Sequence, residues 1–171
     1  MDFRKMAYGF YWQLEKIIAP GLVFSQVVYE DVLRKNVRKD SLWLDIGCGH
    51  NILPFWRQEE EKNLAQTPQL IVGLDADLTS LFGHKNIKHK IQSDIKKIPF
   101  KDGSFNLITA NMVFEHLEEP EGQLREIFRV LKPGGSLIFH TPNAGGYATA
   151  LARMTPEVFK KKLIYFFQKR K

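Results

Sequence analysis

The chain has 171 residues, 44% of them hydrophobic and 26% charged, a composition that fits one soluble globular domain large enough to bury a core. Its single cysteine, Cys48, excludes an intramolecular disulfide and points to a reducing, cytoplasmic compartment, while no apolar run approaches the roughly 20 residues of a membrane span and the Met-Asp-Phe-Arg-Lys start lacks a signal-peptide core. The net charge of +6 is carried by residues 160–171, where Lys160, Lys161, Lys162, Lys169, Arg170 and Lys171 stand without an acid, so the body is neutral and does not read as a nucleic-acid platform.

The first segment repeats Phe3, Met6, Ala7, Phe10, Leu14, Ile17 and Ile18 at helical spacing and ends at Pro20-Gly21. A second helix is expected over about 22–37, with Val23, Phe24, Val27, Val28, Val32 and Leu33 on its apolar side. Tyr8, Tyr11, Trp12 and Tyr29 add aromatic surface that reads either as core and rim or as the wall of a substrate pocket.

Ser41-Leu-Trp-Leu-Asp-Ile-Gly-Cys-Gly-His-Asn51 is the stretch around which the rest is organised. An apolar run reaches Asp45 and then two glycines one residue apart, the pattern of a buried strand ending in a tight turn where a ligand approaches the backbone. Gly47 and Gly49 suit that turn because either position can require a positive φ, and a Cβ there would meet a nucleoside lying across the strand end. A helix is expected from Leu53 or Pro54 to about Lys62. Gly-x-Gly alone is a weak signal, and Ile52 occupies the place of the third glycine in a dinucleotide fingerprint.

Leu70 to Asp75 reads as a second buried strand ending in an acid. Asp75 stands near the position where a carboxylate meets ribose hydroxyls in a doubly wound fold. The other reading of Asp75 is an N-cap for the short helix that follows, a task for which Asp77 is better placed. A third strand is expected over 86–92, then Ser93-Asp94-Ile95, a proline and Asp-Gly turn, and a fourth strand over 105–110. Asn111 to Leu117 follows, then an amphipathic helix over 121–131 with Leu124, Ile127, Phe128 and Leu131 on one face. Lys132-Pro-Gly-Gly and a fifth strand over 136–140 complete the alternation. Thr155-Pro156-Glu157 is a helix start, and the basic amphipathic helix after it can pack on its own domain or lie on an anionic membrane.

Asp45-x-Gly47-x-Gly49-x-Asn51 resembles the first motif of class I S-adenosylmethionine-dependent methyltransferases, with Asn51 where that family usually has a third glycine. Ile98-Pro-Phe-Lys-Asp-Gly-Ser-Phe105, Val113-Phe-Glu-His-Leu117 and Lys132-Pro-Gly-Gly135 resemble segments of its large subfamily that includes quinone-biosynthesis enzymes, and the likeness covers about 42–143. It implies a Rossmann-like α/β fold with a mainly parallel, doubly wound sheet of about five strands, N-terminal helices and a C-terminal amphipathic helix. The chain then divides into a helical cap (1–40), a cofactor-binding core (41–143) and a helix with basic tail (144–171).

The resemblance also implies S-adenosyl-L-methionine as cofactor, held by Asp45, Gly47, Cys48, Gly49, Asp75, Ala76, Ser93, Asp94, Ile95 and Asn111. Asp94 would accept from the adenine amine, Ile95 flank the ring and the backbone near Asn111 meet the methionine ammonium; a turn-forming Asp94 is the alternative. His116 is the general-base candidate, or it begins a helix and bonds locally. His140 and Asn143 are candidates on the substrate side. No metal site is expected. The acceptor is a small molecule, lipid or glycan, the last because the region after His140 loosely resembles methyltransferases linked to polysaccharide synthesis. A non-catalytic cofactor-binding or regulatory protein would keep every one of these motifs. The family normally adds two further strands, so a five-strand sheet here is expected to be C-terminally short, with its fifth strand covered by the chain's own tail, a partner or a second copy.

Overall fold

Five strands pair into one parallel sheet whose three central members are apolar runs buried on both faces, while the two edge strands are more exposed. The strands are β1 (Leu42–Ile46), β2 (Leu70–Asp75), β3 (His89–Gln92), β4 (Phe105–Asn111) and β5 (Leu131–His140), in the spatial order β3-β2-β1-β4-β5. All four pairings are parallel. This computed structural model describes residues 25–54 and 57–143. The chain divides into two compact units, 1–140 and 141–171, and the sheet lies in the first. The expected helices over 3–18 and after Thr155, and with them the tail, lie outside the described residues, as do Phe55 and Trp56. Among the described residues no helix is long and apolar enough to cross a membrane.

The sheet reverses its order between β1 and β4, the place at which open α/β sheets receive ligands at the carboxyl ends of their strands. Alternate side chains of the central strands feed two cores. Trp43, Ile71 and Leu107 pack on one face with Tyr29 and Leu33, while Leu44, Ile46, Val72 and Ile108 pack on the other with Ile127 and Val130.

The helices are α1 (Ser25–Asn36), α2 (Gln58–Ala65), α3 (Leu78–Gly83) and α4 (Pro120–Val130). Several differ from the sequence expectation. α1 buries Tyr29, Glu30 and Leu33 rather than its valines, and Val27, Val28 and Val32 stay exposed. The buried Glu30 is tolerated because Gln26, Arg34 and Arg57 all donate to it. α2 begins at Gln58, not at Pro54. Its buried Glu61 accepts from the Leu53 N–H at 3.0 Å.

β3 starts three residues later than expected, because the Ile87 N–H is taken by His84 Nδ1 at 3.2 Å and the Asn86 amide donates to Glu61 at 2.8 Å. α4 buries Gln123, Ile127 and Val130, leaving Phe128 outside. β5 already pairs at Leu131 and shifts register between Phe105 and Leu107, so the Lys-Pro-Gly-Gly segment is an irregularity within the strand rather than a turn before it.

Candidate functional site

Three consecutive N–H groups of the turn after β1 are committed within the protein. Gly47 N–H and Cys48 N–H both donate to the Leu74 carbonyl, at 2.7 and 3.2 Å, and Gly49 N–H donates to Asp75 Oδ2 at 2.8 Å. Gly47 and Gly49 have φ of +62° and +52°, a region that L side chains enter at a cost. A Cβ on Gly47 would also run into the side chain of Val113. The first obstacle a substituent at Gly47 meets is thus Val113, just beyond β4.

Asp75 uses its second oxygen to accept from the Asp77 N–H at 2.9 Å. The cap of α3 belongs to Asp77, whose carboxylate accepts from Thr79 N–H, Ser80 N–H and the Ser80 hydroxyl. Asp75 thus organises the strand end while each of its oxygens keeps a further lone pair. Asp94 accepts from the Lys96 N–H at 2.8 Å and caps a short 3-10 turn, Ile95–Lys97. Its other carboxylate oxygen has no bond among the described residues, so the turn-forming reading of Asp94 holds without using up the group.

A cleft of about 390 Å³ opens beside these residues at the carboxyl ends of the strands, lined by Gly47, Asp75, Ala76, Ser93, Asp94, Ile95 and His116. Seven of the eleven expected site residues come together there. The other four do not line it. Asp45 is 4% exposed and accepts from the Thr109 hydroxyl, which in turn accepts from Trp43 Nε1 at 2.7 Å. Burial raises the Asp45 carboxyl to about 7. Cys48 is buried over Gly73, and that burial pushes its thiol well above the usual range. Gly49 holds the turn, and the Asn111 side chain bonds to His140 Nδ1 at 2.9 Å and to Gln26 at 3.4 Å.

His140 is held on three sides: by Asn111, by the Ser25 hydroxyl at 2.9 Å and by the Tyr29 ring stacked at 5.7 Å. It serves the packing of α1 on β5. His116 lies in a 3-10 turn, Phe114–His116, where its N–H donates to the Val113 carbonyl at 2.9 Å and its ring is exposed on the cleft side. Asn143 belongs to the second unit.

Two cleft residues were not anticipated. Met112 has φ of +57°, the single non-glycine residue with a positive φ among those described, and its N–H donates to the His140 carbonyl at 2.7 Å. A left-handed methionine costs about 1 to 2 kcal/mol, which marks the strand exit as a shaped wall rather than a loose end. Lys96 reaches Glu118 and Glu119 at 3.0 Å each, linking the loop after β3 to the loop after β4 across the cleft. Local sequence carries no mark of either, because both depend on the meeting of two strand ends.

A family model described as a methyltransferase domain matches residues 44–139. A ubiquinone biosynthesis O-methyltransferase of Xanthomonas oryzae pv. oryzae is 28% identical over 128 residues, 70% of this chain and 51% of that protein. A malonyl-[acyl-carrier protein] O-methyltransferase of Enterobacter lignolyticus is 29% identical over 111 residues, 63% of this chain and 41% of that one. The chain thus spans about half the length of the curated relatives it matches. Among solved structures, a putative methyltransferase from Bacillus halodurans superposes with a TM-score of 0.57 at 19% identity, covering 82% of this chain and 58% of that chain. One from Methanococcus maripaludis gives 0.56 at 18%, covering 84% and 73%. These two likenesses concern the fold.

Proposed function

The chain belongs to the class I S-adenosylmethionine-dependent methyltransferases through the domain matched over 44–139, and we propose that its cleft holds S-adenosylmethionine and directs the methyl to a small-molecule, lipid or glycan acceptor. The observation that carries this reading is the commitment of the turn's N–H groups. A dinucleotide needs free backbone donors for its pyrophosphate at this turn. Here Gly47, Cys48 and Gly49 have already given theirs to Leu74 and Asp75. What the cleft offers instead is carboxylate acceptors, Asp75 and Asp94, beside the apolar Ile95.

That inventory suits a nucleoside with a ribose diol, an exocyclic amine and no phosphate. Asp75 accepts from the ribose hydroxyls with the lone pairs that Gly49 and Asp77 leave open, and Asp94 accepts from the adenine amine while Ile95 packs on the ring. When bound, S-adenosylmethionine supplies a carbon already activated for transfer. The task left to the protein is to hold an acceptor in line with it, which contributes most of the rate. Met112 shapes the wall on that side, and His116, exposed on the cleft, takes the acceptor's proton where the acceptor needs a base. The names of the relatives put oxygen acceptors first among those to try.

Calorimetry with S-adenosylmethionine, its demethylated product and NAD, followed by methyl transfer to a panel of hydroxylated acceptors, tests the reading. The expected result is product binding much tighter than NAD binding, together with turnover on at least one acceptor. Tighter NAD binding overturns the cofactor assignment; tight product binding without transfer to any acceptor assigns a cofactor-binding or regulatory role.

A further inference from the structure

A second cleft, of about 410 Å³, lies at the opposite end of the sheet from the first, between the end of α2 and the starting residues of β2 and β3. Its wall carries Lys62, Lys85, Lys88 and His89, with Gln66 and Gln69 between them and no carboxylate among its lining residues. Several other cations among the described residues are answered by partners. Arg57, Arg129 and Lys96 reach carboxylates, and Lys90, in the same run as Lys85 and Lys88, donates to the Leu81 and His84 carbonyls that end α3. Lys62, Lys85 and Lys88 are exposed and have no ion pair among the described residues.

From this placement we infer that the cleft binds a small free polyanion of the pyrophosphate class. Three ammonium groups of one sign around a concavity with apolar floor residues focus their field into it and raise the local concentration of counter-ions. Exposed lysines beside the β3 edge also discourage strand addition, but Lys62 at the end of α2 lies off that edge and lines the same cleft. The concavity favours a compact ligand over a flat lipid surface, and its volume falls within the roughly 300 to 1,000 Å³ of small-molecule sites. The two amides supply donors that orient phosphate oxygens once the lysines have drawn the anion in. This cleft is about 16 Å from Asp75 along β2, at roughly 3.3 Å per residue, so the two ligands do not compete. The inference does not depend on the identity of the cofactor.

The test is calorimetric titration of the full chain with inorganic pyrophosphate at low and at physiological salt. One saturable site is expected, weakening as salt rises. The triple variant Lys62→Gln, Lys85→Gln, Lys88→Gln should bind at least about tenfold more weakly, since each cation near the anion contributes Coulomb attraction, while the triple lysine-to-arginine variant should retain binding. Melting curves report whether the variants fold. If the triple glutamine variant does not, the single reversals Lys62→Glu, Lys85→Glu and Lys88→Glu carry the measurement, each expected to lose affinity. Absence of saturable binding by the unaltered chain, equal binding by the charge-deleted variants, or capture by phosphatidic acid vesicles without any pyrophosphate binding overturns the proposal.

Discussion

Asp75 Oδ2 accepts from the Gly49 N–H at 2.8 Å, so the acid that closes β2 also fixes the turn that closes β1. Two strands that pair in parallel from Leu42↔Leu70 onward are thereby locked together at their carboxyl ends, where the cleft lies. Asp75→Ala removes this tie and the acceptor proposed for ribose. Binding of the demethylated cofactor should weaken by about 1 to 3 kcal/mol, with a smaller loss of global stability. Calorimetry and urea unfolding on the same variant separate the two effects. Unchanged affinity beside lowered stability would make Asp75 a structural residue alone.

Gly47 tests how tightly the turn is packed. Gly47→Ala has to hold an L residue at φ of +62° and push Val113 aside. The backbone part costs about 1 to 2 kcal/mol, and the contact adds to it. Adding Val113→Ala should return the contact part and leave the backbone part, a partial rescue readable by urea unfolding. Full rescue would mean that the conformation itself costs nothing.

Asp45 gives the protein a pH dependence of known sign. Burial raises its carboxyl from 3.8 to about 7, so the folded chain keeps a proton that the unfolded chain has released. That favourable linkage is complete below about pH 4 and is lost as pH rises through about 7. Asp45→Asn cannot titrate. Relative to the unaltered chain, the variant should therefore gain stability between pH 4 and pH 7, by up to about 4 kcal/mol at 1.36 kcal/mol per unit. Unfolding curves at several pH values check this, and a pH-independent difference contradicts it.

Arg129 holds the Ile98–Ser104 stretch. Its guanidinium donates to the carbonyls of Ile98 and Phe100 at 2.9 and 2.8 Å and to the carboxylates of Asp102 and Glu126. Glu126 then accepts from the Ile98 N–H at 3.0 Å. The Pro-Phe-x-Asp-Gly segment that resembles the family is thus fastened to α4 just before β4 begins. Arg129→Met should destabilise the fold by about 1 to 3 kcal/mol in urea, since three part-buried carbonyls and carboxylates lose a donor. Affinity for the demethylated cofactor should stay within about twofold, because none of these partners lines the cleft.

Much of this protein was legible in its residues because the relevant physics is local. β2 over Leu70–Asp75 has the bounds that its apolar run and terminal acid indicate, and Asp77 caps α3 because a short acid before a helix needs only the next three residues. The cleft residues Gly47 and Asp75 were legible for a related reason, since ligand sites in open α/β sheets lie where strands end and strand ends are marked by glycine and acid, whereas Ser93, Asp94 and Ile95 were legible through the family resemblance. Tertiary structure alone decided the rest. Glu30 and Glu61 are buried, against every local expectation for a carboxylate, because donors 25 to 27 residues away in sequence satisfy them. Thr109 joins Trp43 to Asp45 across 64 to 66 residues, and Met112 adopts a left-handed conformation with its N–H on the His140 carbonyl. Periodicity and propensity describe a residue among its chain neighbours; a buried charge, a shared hydroxyl or a strained φ is set by which distant donor the folded sheet brings to it.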